Sequence, residues 1–245
     1  MPDVLTPAIV LRHVNYRESD RMLTLFSPEH GRIDALARGC RKQKSKLQAA
    51  TELFATGEYR FFRNRDHHTL TGCILAETYY PLREDYDTLV YGAYMLNVCE
   101  AAVQPNEALP DLYALLLTGL AHLTYTQPPR PPRAVAAVFL LLLAGCLGYR
   151  PALDVCPVCG AAIDFTRTPR FDALSGGAVC AACGAAAQDM APATLAFLRH
   201  AQACGLDALA NCPPAAIQSE ALALMRRYIE GRLERIVKAA KLLPP

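Results

Sequence analysis

The chain lacks the short motifs that announce common catalytic chemistries. It has no G-x-x-x-x-G-K-[ST] loop to cradle a phosphate, no G-x-G-x-x-G dinucleotide turn, no G-x-S-x-G nucleophile elbow and no H-E-x-x-H helix. Asp85 and Asp87 stand at an expected helix start, where acids suit the helix dipole better than they suit a metal-dependent nuclease site. No enzymatic activity is expected. A surplus of charge is missing too: 25 basic residues against 23 acidic ones leave a net charge of +2, so only the distribution of charge can point to a polyanion partner. The longest aliphatic run, at 138–147, is too short to span a bilayer, and the N-terminus shows neither an apolar signal segment nor an Arg-rich presequence. An apolar fraction of 52% with 20% charged residues excludes a disordered chain. We therefore expect a globular protein without a membrane partner, in the reducing cytoplasm.

Two cysteine pairs dominate what is present. Cys156-Pro157-Val158-Cys159-Gly160 and Cys180-Ala181-Ala182-Cys183-Gly184 place four thiols at the spacing of a tetrahedral zinc site. The glycine after each pair is expected to give its turn a positive φ and to let backbone amides face the sulfurs. Two disulfides would need an oxidising compartment, and a redox C-x-x-C usually stands alone at a helix start. Four thiolates close the coordination shell and no H-x-E precedes Cys156, so a single structural Zn2+ held by Cys156, Cys159, Cys180 and Cys183 is the expectation. Cys40, Cys73, Cys99, Cys146, Cys204 and Cys212 are scattered singly and are expected as small buried residues.

The first eighty residues read as β structure. Runs at 8–11, 21–26, 31–37, 52–62 and 69–80 alternate or cluster apolar residues between turn signals, and the second and third form a hairpin across Pro28-Glu29-His30-Gly31. Five strands in this length fit a small barrel of the OB type, with an SH3-like barrel as the alternative. Between the third and fourth runs, Arg38, Arg41, Lys42, Lys44 and Lys46 occur without an acid, on a loop that Gly39 and Ser45 are expected to keep mobile. Such a loop can lie along a phosphate backbone and release counterions, or serve solubility alone. Tyr59, Phe61 and Phe62 sit beside Arg60, Arg63 and Arg65, where exposed rings can stack on bases and inward ones fill the barrel.

Composition shifts near Pro81. From Glu84 to Pro129 there is no lysine or arginine, while six acids occur on two expected helices, a surface suited to a protein partner or to solvent. The segment 135–147 is apolar all round and is expected as a central buried helix. After the cysteines come a helix at 191–205 and a last one introduced by Pro213-Pro214. That last helix buries Leu222, Met225, Ile229, Leu233 and Ile236 and shows Arg226, Arg227 and Arg235 as further candidate DNA contacts. The expected organisation is α+β and multidomain: a five-stranded OB-type barrel at 1–80, a helical domain at 81–150 and 191–245, and a four-cysteine zinc module inserted at 151–190, locking two helices together.

These pieces resemble the bacterial RecO recombination mediators. The N-terminal likeness rests on Leu11, Tyr16, Glu18-Ser19-Asp20, Leu23-Thr24-Leu25-Phe26, His30-Gly31-Arg32, Ala37-Arg38-Gly39 and Ser45-Lys46-Leu47. The central likeness rests on Gly148-Tyr149-Arg150-Pro151, Leu153-Asp154, the two cysteine pairs, Phe171 and Gly176-Gly177. Cys40 departs from the pattern by replacing a small residue such as alanine. The resemblance implies binding to single- and double-stranded DNA, annealing of complementary strands, and work with RecR in helping RecA displace single-strand-binding protein, in a nucleoid-associated setting. A zinc-stapled protein-interaction adaptor without a nucleic-acid role, and a zinc hydrolase, are the competing readings.

Overall fold

The structure, a computed structural model, describes residues 3–64, 67–164, 168–185, 187–233 and 241–244. They form two compact units, one reaching Leu116 and including residues 241–244, the other beginning at Leu117. Among the described residues no helix is long and apolar enough to cross a membrane.

In the first unit β1 (Asp3–Tyr16), β2 (Asp20–Ser27), β3 (Gly31–Ala37), β4 (Thr56–Asn64) and β5 (His67–Glu77) close a barrel in the order β1-β2-β3-β5-β4. Neighbours are antiparallel except β3 and β5, which pair in parallel at Ala35 with His68 and Leu36 with Thr69. This is the expected OB-type barrel. Its core takes alternate residues from each strand, among them Ala8 and Val10, Leu23 and Leu25, Ile33 and Ala35, and Tyr59 and Phe61. Ile9 and Phe26, of the opposite parity, are also buried, because α1 (Tyr86–Ala102) packs on β1 and β2 and the Tyr113 ring meets Phe26 edge-on at 5.5 Å. Cover on both strand faces explains why 8–11 is an unbroken apolar run, and why this unit extends beyond the composition shift at Pro81.

The β2–β3 turn is clamped by the segment after α1. Arg32 N donates to Gln104 O at 3.1 Å and Asn106 N donates to His30 O at 2.8 Å. Gly31 lies at φ +63, and a Cβ there would stand 2.2 Å from Gln104 O, so no other residue fits. Several of the acids expected on a partner-facing surface have partners within the chain instead. Asp85 accepts from the Thr88 hydroxyl at 2.6 Å and, as the cap of α1, from Thr88 N at 2.8 Å, which together hold its carboxyl below the usual range, and Glu100 pairs with Arg12 at 2.6 Å.

The second unit contains α3 (Pro132–Cys146), α4 (Pro192–Cys204) and α5 (Ala215–Leu233), reached through α2 (Pro110–Tyr125). Residues from Ala134 to Leu141 are all buried, as the apolar composition of α3 predicts, and α4 and α5 both pack on it. Between α3 and α4 lies a three-stranded sheet, β7-β6-β8, made of β6 (Arg170–Asp172), β7 (Gly177–Val179) and β8 (Gln188–Asp189). Ile236 falls outside the described residues.

Tyr59 ties the barrel to its long β3–β4 connection. Its hydroxyl lies 2.8 Å from Ala50 O and 3.1 Å from Ala55 O. Burial, reinforced by the neighbouring Cys73, pushes the phenol far above its usual range and keeps it a donor. Tyr59→Phe leaves buried carbonyls short of a donor and is expected to lower unfolding free energy by about 1–3 kcal/mol, read as a lower urea midpoint at unchanged slope.

Candidate functional site

Two regions carry the candidate chemistry, one in each unit. In the second unit the sulfurs of Cys156, Cys159, Cys180 and Cys183 lie within 4.8 Å of one another, with Cys159 and Cys180 at 3.6 Å. A tetrahedron with metal–sulfur bonds of about 2.3 Å has sulfur–sulfur edges of roughly 3.8 Å, so the group can hold a metal ion with little movement. The first pair is folded by Gly160 N donating to Cys156 O and Cys156 N donating to Ala161 O, both at 2.8 Å. The second is folded by Cys183 N and Gly184 N, both donating to Cys180 O, at 3.1 and 2.9 Å.

The two glycines do different work. Gly160 lies at φ +75 as expected, whereas Gly184 has no positive φ. It is required for space, since a Cβ there would stand 2.8 Å from the Val179 side chain. Backbone amides of Cys180, Cys159 and Val158 hold the Cys156 thiol down at about 6, while hydrogen bonds with the neighbouring sulfurs push Cys183 up to about 12. Without an ion, one thiolate forms easily and the last resists ionisation.

The module is gripped by two helices, α4 and α5, and its own first residues pair with β7. Ala152, after α3, runs beside β7, with Ala178 N donating to Ala152 O at 2.7 Å. A Cβ on Gly177 would come within 2.0 Å of that same carbonyl, which accounts for the Gly176-Gly177 string. Asp154 is ion-paired with Arg199 of α4, and Gln202 of α4 donates to Pro151 O at 2.9 Å. From α5, Tyr228 donates to Tyr149 O at 2.8 Å, and its ring meets Phe171 edge-on. Arg232 lies over the Tyr228 and Tyr149 rings at 5.0 and 5.8 Å and donates to Ala173 O at 3.2 Å.

Sequence reasoning missed this clamp, because nothing in a helical arginine's spacing marks it as a staple. Of the candidate DNA contacts on this helix, Arg227 is exposed and donates to Gln188 of the module at 2.6 Å, and Arg226 is half-buried. Arg235 lies outside the described residues.

The first unit carries the basic loop. Arg38, Arg41, Lys42, Lys44 and Lys46 are all exposed, while Cys40 between them is fully buried in the barrel core. Gly39 and Ser45, expected to keep the loop mobile, instead build consecutive turns. Gly39 sits at φ +60, Lys42 N donates to Gly39 O at 3.2 Å and Ser45 N donates to Lys42 O at 2.9 Å. The loop base is pinned to the β1–β2 turn: Gly39 N donates to the Asp20 carboxylate at 2.7 Å, Arg41 N to Ser19 O at 3.0 Å, and the Arg41 guanidinium to Glu18 O at 3.0 Å.

Beside the loop base runs a surface groove of about 560 Å³ lined by Arg38, Tyr16, Met22, Phe62, His67 and Thr69. Tyr16 is 40% and Phe62 45% exposed, whereas Tyr59 and Phe61 are fully buried, so alternation on β4 leaves Phe62 and Arg60 outward. Arg65 lies outside the described residues. Met22 and His67 were not singled out from sequence, and Tyr16 was quoted only for the RecO likeness, not as a groove residue. The parity of β1 relative to Ala8 and Val10 is obscured by a register shift between Val10 and Arg12. Of the scattered cysteines, Cys40 and Cys99 are buried and Cys204 is exposed, against the expectation of burial.

Comparison with known proteins divides the chain near the composition shift at Pro81 rather than at the unit boundary after Leu116. Residues 1–79 match the family Recombination protein O N terminal, and residues 83–241 match Recombination protein O C terminal. The chain belongs to the RecO family. The DNA repair protein RecO of Myxococcus xanthus is 33% identical over 233 residues, 95% of this chain and 93% of its own. That of Pelotomaculum thermopropionicum is 34% identical over 242 residues, 95% and 90% of the two chains, and that of Acetivibrio thermocellus 34% over 178 residues, 73% and 69%. These RecO relatives are DNA repair proteins by name. In this RecO member, the strings at Glu18-Ser19-Asp20 and Ala37-Arg38-Gly39 meet each other at the base of the basic loop.

Metal uptake at the thiol cluster must expel protons from the thiols, so affinity is expected to fall as pH is lowered from about 8 to about 6, measured by chelator competition with cobalt(II) as the spectroscopic probe. Arg232→Ala removes a half-buried staple and is expected to destabilise the protein by roughly 1–3 kcal/mol in thermal unfolding while leaving the metal stoichiometry at its wild-type value.

Proposed function

We propose that this chain is a non-enzymatic DNA-repair mediator that binds single- and double-stranded DNA through its barrel. The observation that carries this reading is the pinned loop of five exposed cations whose first member, Arg38, also lines a groove with exposed rings. The cations neutralise backbone phosphates and release counterions, and Tyr16 and Phe62 offer faces on which bases stack without regard to sequence. Arg17 lies over the Tyr16 ring at 5.1 Å and adds positive charge at the groove mouth. Two strands whose phosphates are neutralised on this surface approach without mutual repulsion, which is the physical basis for annealing.

From the RecO resemblance we further propose action with RecR to load RecA on DNA covered by single-strand-binding protein, in the cytoplasm at the nucleoid. The ion is proposed as one structural Zn2+. Four soft thiolates in a closed tetrahedral shell suit zinc and leave no position for a reacting water. Its chemistry is to hold β6 and β7 and their flanking loops in the form that α5 grips.

The adaptor reading is supported by a separate feature, the exposed apolar side chains of Leu5, Ile74 and Leu75, at 53%, 72% and 38% exposure. Salt dependence separates the two readings. The triple variant Lys42→Glu, Lys44→Glu, Lys46→Glu is expected to bind single-stranded DNA more weakly and to flatten the slope of log affinity against log salt by about 2, since each lost phosphate contact removes roughly 0.7. Unchanged affinity and slope would remove the loop from the interface and favour the adaptor.

A further inference from the structure

The β1–β2 turn carries a residue in an unusual backbone state. Arg17 lies at φ +54, in the left-handed region that residues other than glycine, asparagine and aspartate rarely occupy. The surrounding fold holds it there. Tyr16 pairs with Asp20 to close the hairpin, and the basic loop engages the next three residues: Arg41 donates to Glu18 O and Ser19 O, and Gly39 N to the Asp20 carboxylate. Strain of this kind persists where neighbouring contacts over-determine it, and it gathers at sites of recognition. Arg17 is exposed and makes no hydrogen bond or ion pair to a described residue, so its side chain does not offset the strain by holding the fold together. What the guanidinium meets is the Tyr16 ring, 5.1 Å from its centre and within cation–π range. Tyr16 lines the groove and Arg17 does not, so the guanidinium backs the ring from outside the cavity.

The groove itself has a floor set by strand register. Met22 stands beside Leu36, Leu36 beside Thr69, and Thr69 beside Phe62, in a row across β2, β3, β5 and β4. Three strand spacings put Met22 about 14 Å from Phe62, and Tyr16 lies one strand further on, in β1. Tyr16 and Phe62 therefore serve different bases of one strand. The row between them offers apolar and methyl groups rather than phosphate ligands, which suits bases whose faces are free. A duplex keeps its base faces inside the stack and meets only the cationic ridge.

We propose that Arg17 backs the Tyr16 ring as a stacking platform for an unpaired base, and that the two residues make the barrel prefer single-stranded to duplex DNA. The inference rests on the reading of the barrel as a DNA surface. A tyrosine 40% exposed at a hairpin end is otherwise free to change rotamer. The guanidinium on its outer side removes that freedom before a base arrives, so stacking costs less entropy. Tyr16 touches the base, and Arg17 acts through the ring as a positioning residue. When a bound base pairs with an incoming strand it leaves the platform. The duplex product then keeps only its contacts with the ridge and is held more weakly than the strand it came from.

The test is a double-mutant cycle on the full chain, read by fluorescence anisotropy with a labelled oligothymidylate of about 20 nucleotides and a duplex of about 20 base pairs over a salt series. Tyr16→Ala is expected to weaken single-strand binding about tenfold and Arg17→Ala about threefold, with the double variant no weaker than Tyr16→Ala alone. Duplex affinity is expected to stay at the wild-type value in all three variants. The salt slope for the single strand is expected to stay unchanged, because no phosphate contact is lost. Arg17→Lys should keep part of the threefold. Arg17→Gly relieves the backbone and is expected to bind like Arg17→Ala while its Tm stands at or above that of the wild type, an outcome that a purely structural role does not give. Additive losses, a slope flattened by about 0.7 in Arg17→Ala, duplex binding that falls in step, or weaker binding only in variants that unfold earlier would overturn the platform and leave the ridge as the DNA surface. Failure of the wild-type protein to bind either DNA would instead overturn the DNA reading of the barrel, and this inference with it.

Discussion

Strand β1 pairs with β4 along its first half, Asp3 to Ile9, and with β2 from Ile9 to Tyr16, and this double engagement is what closes the barrel. A strand that serves two partners must turn between them, and the register shift at Leu11 supplies the turn. Closure leaves no open edge among the described strands of the barrel, so the unit offers other molecules its faces and connections rather than its hydrogen-bonding rim. The faces that result are unequal. One is covered by α1, and another keeps Tyr16, Met22 and Phe62 in solvent.

The two candidate sites stand in different relations to the fold. The thiol cluster is integral to its unit: its strands are gripped by Tyr228 and Arg232, its entry by Arg199 and Gln202, and its glycines are fixed by close backbone approaches. The cationic loop is attached to its barrel through backbone groups and the buried Cys40, while its five charged ends make few contacts with the rest of the chain. Side chains that hold a structure together are engaged, and those available to another molecule are exposed. By that criterion Arg232 belongs to the scaffold, although its sequence setting resembles that of Arg226.

The barrel strands, the helices and the four-cysteine cluster were legible because each rests on a local regularity. Alternation and apolar runs gave the five strand positions, although β1 extends five residues beyond 8–11 at each end, the all-apolar run gave α3, and cysteine spacing gave the four thiols that cluster. What was not legible depends on contacts between distant segments. Gly184 carries no signal separating a need for space from a need for positive φ, since only its distance to Val179 decides. The groove brings together residues from five strands, and its rings could be placed only once a register was known. The mobile loop expected from Gly39 and Ser45 became a chain of turns because Asp20, nineteen residues earlier, takes the Gly39 amide.

That last contact bears on how the charged loop can act. A free segment that meets a polyanion must give up backbone freedom of about 1 kcal/mol or more for each residue it orders. Here Asp20, Ser19 and Cys40 have already fixed the loop during folding, so its five cations form a ridge that needs no ordering before it can attract a polyanion. Attraction by such a ridge is almost free of an ordering penalty and owes little to buried apolar area. The heat-capacity change on binding should therefore come from the rings of the groove and hardly at all from the loop.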